Sequence, residues 1–260
     1  MLLTFLKYEN LKFLKSYIFI PPIFIYFLCL IGIYIYKDVP VLSSYGSTSI
    51  VLFLIMTWLT IINFKHDTIN ERYILYIQLR SKSNYLKLKV LYLFLVSCLL
   101  ILVSLFYPLL IQVFNKEITL NLIFIGLITH ILMSSFGILL GSFVTNTQIA
   151  SKNFNWLLTI LIIIVTLTKD LLIEQYSFLQ WILWILPPIS NILYLLNKDS
   201  IHIFNLNFIT LCIHSVIYIV IVFLMTKYFF NRQWDKKLLL IQKLLAIQRQ
   251  VDTLVSLNIK

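Results

Sequence analysis

The sequence predicts an all-α integral membrane protein with six transmembrane helices. Of its 260 residues 60% are hydrophobic and 12% are charged, and the mean hydropathy of +0.94 is far above that of soluble domains. The apolar segments are long and rich in Leu, Ile and Phe, and only 5 Gly and 6 Pro occur, which favours helices over the alternating strands of a membrane barrel. The 21 Lys and Arg residues collect between these segments, as expected of cytosolic loops.

The first 16 residues are predicted to form an interfacial helix on the inner leaflet. Glu9, Lys12 and Lys15 lie on one side of a helical wheel. The hydrophobic positions share another side: Leu2, Leu3, Leu6, Phe13 and Leu14. Lysines are spread through the segment and no small-residue cleavage site follows, so a secretory signal is not expected. A plain charged flank of the first span is the alternative.

Six apolar segments are long enough to be predicted as spans. Their approximate ranges are 17–36, 47–64, 90–113, 120–144, 154–168 and 208–230. Pro21 and Pro22 lie near the start of the first, where a missing N–H is tolerated. Pro108 is predicted to kink the third span near its outer end.

The longest charged segment between two spans is residues 67–89. With Lys65 it contains six basic and two acidic residues, which places it in the cytosol by the positive-inside rule. Its middle, residues 73–79, is apolar but too short to cross a membrane. A short helix lying against the membrane or a partner protein is therefore predicted, with an ordinary positive-inside loop as the alternative.

The fourth span contains Gly137 and Gly141, a small-xxx-small pair that lets two helix backbones approach closely. We expect packing between helices of one chain. Contact with a second subunit is the other use of such a pair.

Residues 178–196 predict an exterior helical hairpin that enters the outer leaflet. Two apolar halves of about ten residues, against the roughly twenty that a span needs, are separated by Pro187 and Pro188. Trp181 and Trp184 are expected at the membrane interface. One kinked span through both halves is the alternative, but it would move the seven basic residues of the C-terminal tail outside.

With six spans, both termini are expected to lie in the cytosol. The charge distribution agrees with this topology, because all but four of the Lys and Arg residues are cytosolic; the four are Lys37, Lys116, Lys169 and Lys198. The net charge of +11 is therefore a topology signal, and no nucleic-acid partner is expected.

The chain divides into a transmembrane domain, residues 1–230, and a cytosolic amphipathic tail helix, residues 231–260. The tail has one apolar stripe at helical spacing: Leu240, Leu244, Ile247, Val251 and Leu254. Two heptads are too few to argue for a coiled coil, so an interfacial or docking helix is predicted.

No catalytic or metal-binding pattern is present in the sequence. The phosphate-binding loop and the hydrolase and intramembrane-protease signatures are missing, and Cys29, Cys98 and Cys212 lack metal-type spacing. No catalytic residue, cofactor or metal ligand is therefore expected. His130 and His214 lie at membrane depth, where neutral hydrogen-bonded histidines are expected and a membrane enzyme is the alternative.

The order of these parts over residues 2–230 resembles the permease, the membrane subunit, of ABC-2 type exporters. In that family the loop after the second span has an acidic-basic start, a short helix and a basic end, and it carries the coupling helix that docks on a separate ATPase subunit. The segment that includes Trp184, Pro187 and Pro188 looks like the family's exterior hairpin. The matching loop residues are Asp67, Glu71 and Arg72 for the start, Tyr73 and Tyr76 within the helix, and Arg80, Lys82 and Lys87 or Lys89 for the end.

Two positions depart from the family pattern. Tyr73-Ile74 replaces a frequent Gly-Thr, and Arg80 replaces a frequent Pro. The resemblance implies two copies of an ABC ATPase, which bind ATP and Mg²⁺, and a second permease subunit, identical or different.

The function implied is export of a hydrophobic or amphipathic substrate, such as a peptide toxin, modulin or bacteriocin. An immunity or resistance permease that removes an antimicrobial peptide or drug is one alternative. A membrane enzyme that uses His130 or His214 is another, and a membrane anchor that only recruits a cytosolic protein is a third.

Overall fold

The computed structural model describes residues 2–147, 154–183, 185–197 and 202–258, except for the side chains of Ile182 and residues 233–258. Trp184 lies outside the described residues. Helices are the dominant structure throughout, and no strand longer than an isolated bridge occurs in these ranges. The helices are α1 Leu2–Ser16, α2 Ile20–Ile33, α3 Val41–His66, α4 Ile69–Gln78, α5 Lys82–Leu110, α6 Leu120–Thr147, α7 Asn155–Leu167, α8 Lys169–Gln175, α9 Gln180–Leu183, α10 Ile189–Leu196 and α11 Leu206–Asn258.

Four helices are individually long and apolar enough to cross a membrane: α3, α5, α6 and the first 27 residues of α11. Two bent pairs, α1 with α2 at 81° and α7 with α8 at 64°, raise the number to six if each counts as one span. The described chain is thus all-helical with four to six candidate spans, and six is the upper limit. The predicted first span is only the 14-residue helix α2, shorter than the roughly twenty residues that a straight span needs.

Two long helices begin earlier than the sequence prediction. Helix α3 starts at Val41, directly after Pro40, and not at residue 47. Helix α5 starts at Lys82, because the Ser81 hydroxyl accepts a hydrogen bond from the amide of Ser83 at 3.1 Å and caps the first turn. Lys82, Lys87 and Lys89 of the predicted basic end therefore lie in the first two turns of α5, and Arg80 precedes the helix.

Helices α3 and α6 form the most extensive helix pair of the fold. A Cβ atom added at Gly137 would lie 2.5 Å from the backbone oxygen of Phe53, and one at Gly141 would lie 2.8 Å from that of Thr57. The two glycines thus let α6 lie directly on α3 of the same chain. Because α3 covers this surface, it is not available to a second subunit.

The chain breaks at Pro187 and Pro188, as predicted, but its two halves differ. The first half is a 3-10 turn, Ser177–Leu179, followed by the single turn of α9, and not a half-helix. Trp181 in this half is 87% exposed. The second half, α10, buries Ile189 and Leu196 against the core, whereas the described buried side chain of the first half is Leu183 at its end.

At the two ends of the chain the helices differ from the prediction in side-chain direction or length. In α1 the buried positions are Phe5, Glu9 and Phe13, four residues apart, so Glu9 faces the core and not the solvent. Helix α11 continues from Leu206 through Asn258, so the predicted domain boundary at residue 230 falls inside a helix. The predicted tail stripe lies where side chains are outside the described residues.

Candidate functional site

Helix α4 lies in the segment between α3 and α5, and a capping box defines its start. The Thr68 hydroxyl accepts a hydrogen bond from the Glu71 amide, and the Glu71 carboxylate accepts one from the Thr68 amide, both at 3.3 Å. A short helix does occur in the segment where one was predicted at 73–79, but it spans Ile69–Gln78 and so begins four residues earlier and ends before Leu79. The Thr-x-x-Glu spacing in the sequence was the available signal.

The turn after α4 depends on Arg80, whose φ is +59°. Its amide donates to the carbonyl of Ile77 at 3.1 Å, which closes the C-terminal end of the helix. Proline is held at a φ of about −65° and could not adopt this conformation. Arg80 in place of the proline expected from the resemblance is thus consistent with the backbone here.

Asp67, at the junction of α3 and α4, lies at the centre of a buried set of charges. One carboxylate oxygen accepts a hydrogen bond from Lys12 of α1 at 2.5 Å. The other accepts from Lys89 and Tyr85 of α5. The side chains of Asp67 and Lys89 are both 0% exposed. Desolvating two charges is offset only when each is paired and hydrogen-bonded, which is the arrangement here.

Two further carboxylates complete what we call the ion cluster: Glu9, Lys12, Asp67, Glu71 and Lys89. Glu71 accepts hydrogen bonds from Lys12 and from the Tyr8 hydroxyl. The Glu9 carboxylate lies 3.7 Å from the Lys89 ammonium and is 1% exposed. The ion cluster therefore connects α1 to α4 through Lys12, and α1 to α5 through Lys89.

Tyr85 adds an aromatic connection at the same place. Its ring centroid lies 6.4 Å from Phe5 of α1, 6.5 Å from Phe64 of α3, 5.1 Å from Tyr76 of α4 and 6.3 Å from Phe230 of α11. Its hydroxyl donates to Asp67. One side chain of α5 thus contacts four other helices, and α4 is fastened to all of them.

The predicted site residues divide between the two sides of α4. Asp67 and Tyr76 are buried and Glu71 is held in the ion cluster, so these three do not form the outer surface. The Arg72 guanidinium donates to the backbone carbonyl of Phe64 in the last turn of α3. Tyr73 and Lys82 are half-buried and Arg80 is exposed. The outer surface of α4 has three exposed isoleucines: Ile69 at 61%, Ile74 at 56% and Ile77 at 79%.

Lys89 was matched to the basic end of the loop, but its role in holding α4 was not predicted from the sequence. The residues whose contacts hold α4 in place are Tyr8, Glu9, Lys12, Tyr85 and Lys89. For the last two a signal existed. Ser81 caps a helix, and residues 85 and 89, four apart, then share one face of it. The pairing of α1 with α4 had no such signal, because it joins residues more than 50 positions apart.

The electrostatics around Asp67 and Glu71 favour their ionised carboxylates. Burial alone would raise the pKa of Asp67. The charge of Lys89 and hydrogen bonds from Lys12, Lys89 and Tyr85 outweigh burial and lower the pKa from 3.8 to about 2. For Glu71 burial also acts to raise the pKa, but hydrogen bonds from Lys12 and Tyr8 lower it below its ordinary value.

These shifts predict how stability depends on pH. Because the pKa of Asp67 is lower in the folded state, its contribution is fully present above pH 3.8 and is lost as pH falls towards 2. We expect a loss of about 2 kcal/mol in this window, measured as unfolding free energy in detergent micelles. The Asp67→Asn variant should lose this part of the acid dependence. An unchanged acid dependence in that variant would show that other groups cause it.

His130 has a structural environment. Its Nδ1 lies 2.7 Å from the carbonyl oxygen of Gly126, which can only accept, so Nδ1 carries the hydrogen. Its Nε2 lies 3.0 Å from the Thr48 hydroxyl. Both ring nitrogens are therefore engaged, which is consistent with the expected neutral histidine. His214 is half-buried and lines a polar surface groove of about 600 Å³ that includes Asp170.

No group of three or more His, Cys, Asp or Glu side chains that could hold a metal ion occurs in the described part of the chain. Comparisons of the chain with models of protein families, with curated proteins and with solved structures found no match. Fold and site define a class: an all-helical protein with the apolar helices of a multi-pass membrane protein, and a short helix, α4, fastened by buried charges to the ends of its long helices.

Proposed function

We propose that this chain is the membrane subunit of an ATP-driven exporter of the ABC-2 type, with α4 as its coupling helix. The observation that carries the proposal is the two-sided character of α4. Its inner side is fastened to α1, α3, α5 and α11 through the ion cluster and Tyr85. Its outer side exposes Ile69, Ile74 and Ile77 in an otherwise basic segment. An exposed apolar strip is typical of a binding surface for a partner protein. Because the helix is firmly held by its neighbours, a partner bound there would displace them together with it.

The mechanism is transmission of a rigid-body motion. Two copies of an ATPase subunit bind ATP and Mg²⁺ and close on each other, and each copy holds one α4. Displacement of α4 moves Asp67 at the end of α3 and Lys89 in α5, because these charges cannot separate without leaving one of them buried and unpaired. The two long helices then tilt together. The driving force is the difference in ATPase contacts between its open and closed states.

The proposed assembly contains two membrane subunits, as a homodimer or a heterodimer, in a bacterial cytoplasmic membrane. The end of the bundle that carries α4 faces the cytosol, as do both termini, because the basic residues concentrate there. The substrate is hydrophobic or amphipathic, such as a peptide. This is supported by spans rich in Phe and Leu with few charged residues. Self-protection against such a peptide would use the same mechanism.

Co-purification with a co-expressed ABC ATPase tests the proposal. Ile77→Asp places a charge on the outer side of α4 and should weaken the complex at least tenfold, since the Ile77 side chain is 79% exposed. Ile35→Asp is the matched control, because Ile35 is 67% exposed and lies beyond the far end of α2. Equal ATPase recovery with Ile77→Asp and wild type would remove α4 from the contact and the proposal with it.

A further inference from the structure

A second surface feature lies between α5, α6 and α11, away from the outer side of α4. It is a groove of about 360 Å³ with almost purely apolar walls. Its principal lining residues are Val90, Leu91 and Phe94 of α5, Ile138 of α6, and Ile219 and Phe223 of α11. The volume is within the range of small-molecule sites, roughly 300–1,000 Å³. All three helices are candidate spans, so the groove opens on the side of the bundle that would face lipid.

Two lysines lie at one end of this groove. Lys87 lines it and is exposed, one helical turn before Leu91. Lys227 is half-buried and follows Phe223 by one turn on the same face of α11. Helix α5 runs away from α4, whereas α11 runs towards it, since Phe230 stacks on Tyr85. Both lysines are therefore at the same end of the groove, the end nearer α4.

Among the side chains that the structure describes, the negative charge close to this end is engaged elsewhere. The carboxylates of Glu9, Asp67 and Glu71 are directed at Lys12 and Lys89 within the ion cluster. Lys87 and Lys227 thus form a positive entrance to an apolar groove. On a membrane-facing surface this is the charge pattern that selects an anionic lipid headgroup.

The dimensions distinguish between possible occupants. From Lys87 to Phe94 the groove follows seven residues of α5, about 10 Å, which fits within the roughly 15 Å hydrocarbon depth of one leaflet. A helix from a second copy is at least about 10 Å wide, so a 10 Å length of it would fill roughly 800 Å³. That is more than twice the volume of the groove. An extended acyl chain is the better match.

We propose that the groove between α5, α6 and α11 binds an anionic phospholipid, with an acyl chain along Phe94 and Phe223 and the phosphate between Lys87 and Lys227. This assignment needs only a membrane-embedded bundle and is independent of any ATPase. A lipid held there bridges α5 and α11. It therefore stabilises the position of the two helices that meet at Tyr85 beneath α4.

Native mass spectrometry of the delipidated full-length protein tests the proposal, with phosphatidylglycerol and phosphatidylcholine of identical acyl chains as probes. Wild type should bind phosphatidylglycerol more tightly. The Lys87→Gln/Lys227→Gln double variant should bind it about thirtyfold more weakly, since each interfacial lysine contributes to anionic headgroup affinity. The Lys87→Arg/Lys227→Arg variant keeps both charges and should retain binding. Lys37→Gln/Lys116→Gln is the matched control, because both residues are exposed beyond the opposite ends of the helices.

Ile219→Trp fills the groove while leaving both lysines in place, and it should displace the lipid with either headgroup. Three results would overturn the proposal. They are equal affinity of wild type for the two lipids, unchanged phosphatidylglycerol affinity in the double glutamine variant, and formation of a disulfide-linked dimer through Leu91→Cys in place of lipid binding.

Discussion

Asp67→Ala is expected to destabilise the protein by about 3–5 kcal/mol, because it leaves the Lys89 ammonium buried without its principal partner. Lys89 is 0% exposed, and its remaining carboxylate, that of Glu9, lies 3.7 Å away. The rings of Phe64 and Tyr85, each within 5.4 Å of the ammonium, supply only a weak substitute. The substitution also removes one of the two carboxylate acceptors of Lys12 and the acceptor for the Tyr85 hydroxyl. Unfolding in detergent micelles measures the effect.

The double variant Asp67→Leu/Lys89→Met distinguishes two causes of the lost stability. One is the Lys89 charge left buried without a partner, and the other is the loss of the contact between Asp67 and Lys89. It removes both buried charges and fills their space with apolar groups, so most of the lost stability should return. Glu117→Ala is a control for loss of one acidic residue, because Glu117 is exposed and should change stability by less than about 0.5 kcal/mol. If the double variant is as unstable as Asp67→Ala, the loss of stability comes from losing the ion pair itself and not from leaving one charge buried without a partner.

The long helices could be predicted from hydrophobicity because a membrane bundle repeats one signal, an apolar run of sufficient length. Helix α6 begins at Leu120 as predicted. The starts of α3 and α5 could not be located in this way. Polar residues such as Lys82 and Lys87 lower the hydropathy of the first turns of α5, although Ser81 begins the helix before them. At α5 the capping residue Ser81 was the better signal, whereas the residue before α3, Pro40, makes no side-chain cap.

The burial of the charged residues could not be predicted from the sequence, for a different reason. A hydropathy pattern places Glu9 and Lys12 on the polar side of α1, and that would be right for a helix lying alone at a membrane surface. Tertiary contacts reverse it for Glu9, because Lys89 of α5 provides a partner inside the fold. The polar side of α1 is thus partly its packing side. Such a pairing depends on how three helices are arranged in space, and no local pattern in the sequence reveals that arrangement.

The same reasoning explains why α4 could be found but not oriented. Its apolar run, residues 73–79, predicts a helix without stating which residues face inward. The structure turns Leu75 and Tyr76 inward and Ile74 and Ile77 outward. Tyr76, which the resemblance placed in the helix that contacts a partner, instead packs on Tyr85. The isoleucines are exposed and are the positions at which a partner would be detected.

Gly137→Ala is expected to destabilise the α3–α6 pair by about 1–3 kcal/mol, towards the upper end of that range. The added methyl group would lie 2.5 Å from the Phe53 backbone oxygen and 3.1 Å from the Thr57 amide nitrogen. Both atoms belong to the α3 backbone, so a side-chain rotation cannot relieve the clash. The two helices must separate, and dispersion contacts along their interface weaken. Thermal unfolding in micelles, followed by circular dichroism, gives the difference.

Gly32→Ala is the matched control for this prediction, because an added Cβ there meets no atom within 4 Å. Gly32 lies inside α2, where alanine is the better helix former, so this variant should be neutral or more stable by about 0.5–1 kcal/mol. The same chemical change thus has opposite signs at two helical glycines, and only the contact with α3 distinguishes them. Equal stability of the two variants would mean that α6 does not approach α3 at Gly137. Gly137 and Gly141 would then be free for contact with a second subunit.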